Sequence, residues 1–130
     1  MVREKIALDT NVVIDVFNGK PLIIELLNEY EAIYLPVTVC GELLFGAKNS
    51  ARKQENEQKF FGFINHCSVL NINALIAEQY AKTRKELKDK GRPIPENDIW
   101  IAATCIVNNI PLITLDSDFQ AIGGLSLVDV

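Results

Sequence analysis

Short apolar runs that end in a carboxylate or a turn, each followed by a helix-length segment, constrain this chain more than any other feature. Residues 5–9 (KIALD), 32–35 (AIYL), 68–72 (SVLNI) and 112–115 (LITL) read as strands, and 125–128 (LSLV) as a possible fifth. Helices are expected over 12–18, with Thr10 and Asn11 as capping residues, and from Pro21 to about Tyr30. Further helices are expected from Val37 to about Ser50, over 51–66, over 74–90 after the cap Asn73, and from Glu96 to Val107. In the 74–90 helix, Ala77, Tyr80, Ala81, Arg84, Leu87 and Lys88 recur at helical spacing. Gly91-Arg92-Pro93-Ile94-Pro95 is a rigid break, and Asn108-Asn109 and Gly123-Gly124 are turns. Strands alternating with helices pair in parallel through right-handed crossovers. The expected fold class is therefore α/β, a three-layer α/β/α sandwich around a central, mainly parallel sheet.

At 130 residues the chain is expected to form one domain over 1–130, and 48% hydrophobic content is enough for a core. The longest apolar stretch, Ile99 to Val107, is too short to span a bilayer, and the N-terminal apolar run is broken by Asp9, unlike a signal peptide. Cys40, Cys67 and Cys105 are odd in number and without a CxxC pair, which points to a reduced, cytoplasmic setting. A single histidine, His66, excludes a two-histidine acid–base pair and makes a zinc site improbable. Carboxylates are left to carry any chemistry, and their hard oxygens prefer Mg²⁺ or Mn²⁺.

The net charge of −4 argues against a generic nucleic-acid coat. The basic residues are nevertheless grouped, with Lys48, Arg52, Lys53 and Lys59 in one segment and Lys82, Arg84, Lys85, Lys88, Lys90 and Arg92 in another. A basic rim around an acidic centre suits a polyanion cut at a metal site; solvated helix faces are the plainer reading.

Open parallel sheets bind ligands beyond the carboxyl ends of their strands, at a switch point. Asp9 ends the first expected strand and Asp116 the fourth, and the two carboxylates meet if those strands are neighbours. Asp98 lies in the first turn of its helix, and Glu42 sits within an apolar helix (VTVCGELLFGA) where a carboxylate needs a partner. Asp118 is a fifth acid or a turn residue. Each has an ordinary reading as well: Asp9 as a cap, Asp98 as a dipole complement, Asp116 as a turn residue.

The stretches Leu8-Asp9-Thr10-Asn11, Glu42-Leu43-Leu44-Phe45-Gly46, Asn97-Asp98-Ile99-Trp100-Ile101-Ala102-Ala103 and Thr114-Leu115-Asp116-Ser117-Asp118-Phe119 together make a recognisable pattern. The chain resembles the PIN-domain nucleases, and more narrowly the VapC-like toxins of type II toxin–antitoxin modules, over essentially its whole length. That resemblance implies a metal-dependent endoribonuclease. It implies an acidic quartet of Asp9, Glu42, Asp98 and Asp116, with Asp118 at a position that some members use instead, and supporting roles for Asn11 and Thr114. Asp9, Asp98, Asp116 and Asp118 are the expected holders of Mg²⁺ or Mn²⁺, and Glu42 either binds a second ion or orients the attacking water. Products with 5′-phosphate and 3′-hydroxyl ends are implied, as are a cognate antitoxin and a homodimer.

Single-stranded RNA is expected to run along the basic helices, with Lys48, Arg52, Lys85 and Lys88 as candidate phosphate contacts. Trp100 can stack a base, but it lies in an apolar helix and a packing role is the plainer reading. Val39, Leu43, Leu44 and Phe45 form either an antitoxin groove or ordinary core. Two rival readings are a phospho-acceptor receiver-like domain, against which Asp9 lacks an acidic neighbour, and a non-catalytic PIN-like RNA-binding module.

Overall fold

A computed structural model describes residues 3–130; Met1 and Val2, part of the expected 1–130 domain, lie outside the described residues. The first strand, β1 (Arg3–Leu8), ends in Ile6, Ala7 and Leu8, all fully buried. It is followed by α1 (Thr10–Phe17) and α2 (Pro21–Leu27), then β2 (Tyr30–Pro36), α3 (Val37–Lys48), α4 (Lys53–His66) and β3 (Ser68–Leu70). The chain closes with α5 (Ala74–Asp89), α6 (Glu96–Asn108), β4 (Leu112–Ile113) and a 3₁₀ turn over Ser117–Ala121.

The sheet has the order β3-β2-β1-β4, and every pairing is parallel. β1 faces β2 through Ile6↔Ile33 and Ala7↔Tyr34, and faces β4 through Ala7↔Leu112 and Leu8↔Ile113. The chain walks outward from β1 to β3 and then returns past β1 to β4. With right-handed crossovers this places α1–α4 on one face and α5 and α6 on the other. The switch in direction falls between β1 and β4, the expected neighbours, so the residues after these strands share one edge.

The core runs along the sheet through Ile6, Leu8, Leu35, Leu112 and Ile113, covered by Val12, Val13, Val39, Leu43, Leu87, Ile99 and Ile101. Burying each such Ile or Leu contributes roughly 1.5–3 kcal/mol. Val39, Leu43 and Ala47 form the buried face of α3, as their spacing predicts, while Gly46 is exposed. α4 is amphipathic only late: Phe60 and Phe63 pack edge-on against Phe17, with ring centroids 5.2 and 5.6 Å apart.

Four expectations need correction. The cap of α1 is Asp9, not Thr10 or Asn11. β4 stops at Ile113, so Asp116 stands three residues past the strand and caps the 3₁₀ turn. The expected fifth strand reduces to a single parallel bridge, Leu112↔Leu127, held by Leu112 N–H to Ser126 and Val128 N–H to Leu112. The buried stripe of α5 is Ile76, Thr83 and Leu87 with Tyr80 half-buried; Ala77, Ala81, Arg84 and Lys88 are exposed. Alanines and the long stems of Arg and Lys mimic an apolar face in sequence, whereas the buried Thr83 hydroxyl accepts from Gln79 and breaks the pattern.

Candidate active site

Five carboxylates from four parts of the chain converge at the carboxyl end of the sheet. Asp9 follows β1, and its amide bonds the Ile113 carbonyl at 3.0 Å, which sets it beside the residue after β4. That residue is Thr114, whose hydroxyl donates to Asp9 Oδ2 at 2.7 Å and accepts the amide of Asp116 at 3.0 Å. The other Asp9 oxygen accepts the Thr10 amide at 2.8 Å. The Thr10 hydroxyl in turn donates to Glu42 Oε1 on α3 at 2.7 Å. Asp116 Oδ1 accepts the amide of Asp118 at 2.9 Å. One hydrogen-bonded chain thus joins Glu42, Asp9, Asp116 and Asp118 through two threonines. Capping and membership of the cluster are not alternatives for Asp9 and Asp116; each does both.

Asp98 enters from the first turn of α6. Ligand oxygens of Asp98, Asp116 and Asp118 all lie within 4.8 Å of one another. Asp9 is outside this trio, its two oxygens engaged by Thr114 and Thr10. The donors are all hard oxygens in a half-buried setting, which suits a divalent cation such as Mg²⁺ better than a thiophilic metal.

The electrostatics carry the mark of this crowding. Burial pushes the Asp98 carboxyl up to about 7, and the charges of Asp9, Asp116, Glu42 and Asp118 push the same way. Burial also raises Asp9, against the hydrogen bonds from Thr114 and Thr10 that favour its charged form. Below about pH 7 the metal-free cluster therefore favours a proton on Asp98 that an isolated aspartate has lost.

The other nominated residues sit elsewhere. Asn11 is exposed on the first turn of α1 and makes no side-chain hydrogen bond among the described residues. Lys48 pairs with Glu57 at 3.3 Å, Arg52 with Glu55 at 3.8 Å, and Lys85 with Asp89 at 2.6 Å, all on exposed surface. Lys88 lines a cavity of about 430 Å³ between α5 and α6, together with Arg84, Leu87 and Ile94, that includes none of the five acids. Grooves flank the acids instead: one of about 520 Å³ holds Glu42, Phe45 and Asn97, another of about 350 Å³ holds Thr114 and Asp116. Trp100 packs, as expected, stacked on Tyr80 at 3.9 Å. Val39 and Leu43 belong to the core, Leu44 is half-buried and Phe45 is exposed.

Arg92, named in sequence only as one of a basic group and within the Gly91–Pro95 break, is the residue at the site that was not nominated as a contact. Its Nη2 donates to Asp118 Oδ1 at 2.7 Å, and among the described residues this is the ion pair that reaches the five acids. The signal was present: a glycine that ends a helix, followed by Arg and a Pro-x-Pro segment, fixes where that Arg starts.

The PIN domain family matches residues 6–125, which takes in all five acids. The chain belongs to the PIN-domain family. Full-length likeness to this PIN domain extends to Ribonuclease VapC2 of Rickettsia felis, 31% identical with 92% of this chain and 93% of that protein covered. It extends also to the tRNA(fMet)-specific endonuclease VapC of Shigella flexneri, 30% identical with 96% and 97% covered. Among solved structures, VapBC-1 of nontypeable Haemophilus influenzae superposes with a TM-score of 0.87 at 30% identity, covering 96% of this chain and 97% of that one. Family membership removes the receiver-like reading.

Proposed function

We propose that this chain is a Mg²⁺- or Mn²⁺-dependent endoribonuclease, a single PIN domain over 1–130 that acts as the toxin of a type II toxin–antitoxin system. The observation that carries this reading is the meeting of Asp9, Glu42, Asp98, Asp116 and Asp118 at the β1/β4 switch point, linked through Thr10 and Thr114. Its relatives named as VapC ribonucleases support the activity, and solved VapBC assemblies support a protein antitoxin as partner. A homodimer and a cytoplasmic setting go with this reading. Among the described residues no helix is long and apolar enough to cross a membrane.

Asp98, Asp116 and Asp118, with Asp9 beside them, are the residues that would hold the ion. When bound, such an ion activates water and offsets charge on the phosphodiester in its in-line transition state. The Thr114 hydroxyl favours the charged form of Asp9 and orients it while it holds the Asp116 backbone, so one hydroxyl sets two acids. Glu42, fixed by Thr10, keeps its second oxygen available to orient the attacking water. The purified chain is expected to cleave structured RNAs only with Mg²⁺ or Mn²⁺. Asp9→Asn and Asp98→Asn should lose that cleavage with an unchanged circular dichroism spectrum; undiminished cleavage in either removes the site assignment.

A further inference from the structure

An acidic cleft has to admit an anionic strand, and the basic residues nominated from sequence for that task mostly spend their charge on surface pairs. Lys48 and Lys85 are hydrogen-bonded to Glu57 and Asp89, Arg52 lies 3.8 Å from Glu55, and none of the three pairs with any of the five acids. Arg92 is placed differently. α5 ends in a turn in which Gly91, at φ 66°, donates to Lys88 and Arg92 donates its amide to Leu87 at 2.9 Å. This is the paired bond pattern of a glycine-terminated helix, and it sets the Arg92 backbone rather than leaving it to a mobile loop. Pro93 and Pro95 stiffen the following residues, and Lys90 Nζ, donating to the Ala121 carbonyl, straps the same turn to the 3₁₀ segment that carries Asp118. The guanidinium therefore arrives at the acids on a braced support.

Once there, Arg92 uses one nitrogen on one Asp118 oxygen, and its side chain remains 47% exposed. A guanidinium carries five N–H donors in a planar fork, so most of its donor capacity has no partner among the described residues. We infer that Arg92 is a substrate-binding residue. Oriented by Asp118, its remaining N–H groups take a phosphate of the RNA strand at the edge of the acid cluster. Asp118 is then a positioning residue for Arg92 as well as a member of the acidic trio. The inference rests on the nuclease reading above and adds to it the residue that offsets repulsion between the phosphate and the carboxylates.

The test is binding of a 5′-fluorescein-labelled, 12-nucleotide single-stranded RNA by fluorescence anisotropy. Ca²⁺ serves as the divalent ion, salt is varied from low to moderate, and the probe is checked for intactness on a gel. Arg92→Gln is expected to weaken binding roughly fivefold to tenfold and to flatten the salt dependence by about 0.7 in slope, the loss of one phosphate contact. Arg92→Lys should recover most of both, because a merely structural ion pair would not restore a salt slope. Asp118→Asn, which keeps the shape but loses the charge that orients Arg92, should weaken binding by less than Arg92→Gln and leave the salt slope as in wild type. Arg3→Gln, the same charge change at the opposite end of β1, should leave both readouts unchanged. Equal affinity and slope for Arg92→Gln and wild type overturn the inference while leaving the nuclease reading intact. A wild-type chain that neither binds this probe nor cleaves RNA with Mn²⁺ overturns both.

Discussion

Thr114 is the smallest unit on which the site depends. It gives its one proton to Asp9 and its lone pair to the Asp116 amide, so replacing it disturbs two carboxylates at once. Hydrogen bonds to charged groups are worth about 1.5–3 kcal/mol. Thr114→Val, close in shape, is therefore expected to lower kcat at least about tenfold, with little change in KM, while Thr114→Ser retains most activity. Steady-state kinetics on both variants checks this; equal rates for Val and wild type would leave Asp9 positioned by its capping bond alone. Asp98 yields a sharper contrast between function and stability. Its charged form is disfavoured by burial and by four neighbouring carboxylates. Asp98→Asn removes that repulsion, so the metal-free variant should melt at or above the wild-type temperature at pH 8 while cleavage disappears. A marked fall in Tm would mean that Asp98 has a structural partner.

The elements that place these residues were largely legible. β1, β2 and β3, the helices and the breaks between them follow from apolar runs and turn chemistry; the buried ends of β1 and β2 need continuous apolar residues, whereas β3 is an edge strand with Ser68 and Val69 exposed. Two things were not legible. β4 and the segment after it keep an apolar look in LITL and LSLV, but only Leu112 and Ile113 pair as a strand, since Thr114 and Asp116 turn their polar groups to one another instead. The buried face of α5 was misassigned because Thr83 hides its hydroxyl in a bond from Gln79. Among the sites, the acids stood out as charges at strand ends and helix starts; Arg92 did not, because nothing in a charge pattern tells a braced arginine from a solvated one. The shortness of β4 has a consequence at this scale. Ile113 is fully buried, pairs with Leu8 and accepts the Asp9 amide, so with Leu112 it ties Thr114 alongside Asp9. Ile113→Ala is expected to cost about 2–5 kcal/mol. A urea titration should show a lower midpoint with an unchanged slope; a midpoint within error of wild type would mean that the Asp9–Thr114 contact holds β4 in place.

Across the whole molecule, the acid cluster ties folding to pH and to cation. An unfolded chain releases the Asp98 proton near the ordinary aspartate value of 3.8, whereas the metal-free fold keeps it up to about 7. Between those two values the folded state binds more protons, so stability falls as pH rises. The favourable contribution is fully present below the unfolded value and is lost by the time pH has passed through about 7; the raised Asp9 acts in the same direction. A divalent cation binds the deprotonated cluster and must displace the proton first, so its stabilisation is weaker in acid than in base. The expected result is a metal-free Tm that is higher at pH 5.5 than at pH 8, and a rise on adding Mn²⁺ that is larger at pH 8. EDTA should reverse the rise, and Asp98→Asn should flatten the pH dependence of the metal-free form. Equal Mn²⁺ increments at the two pH values would mean that the ion does not compete with the Asp98 proton. Its binding would then have to lie apart from the cluster of Asp98, Asp116 and Asp118.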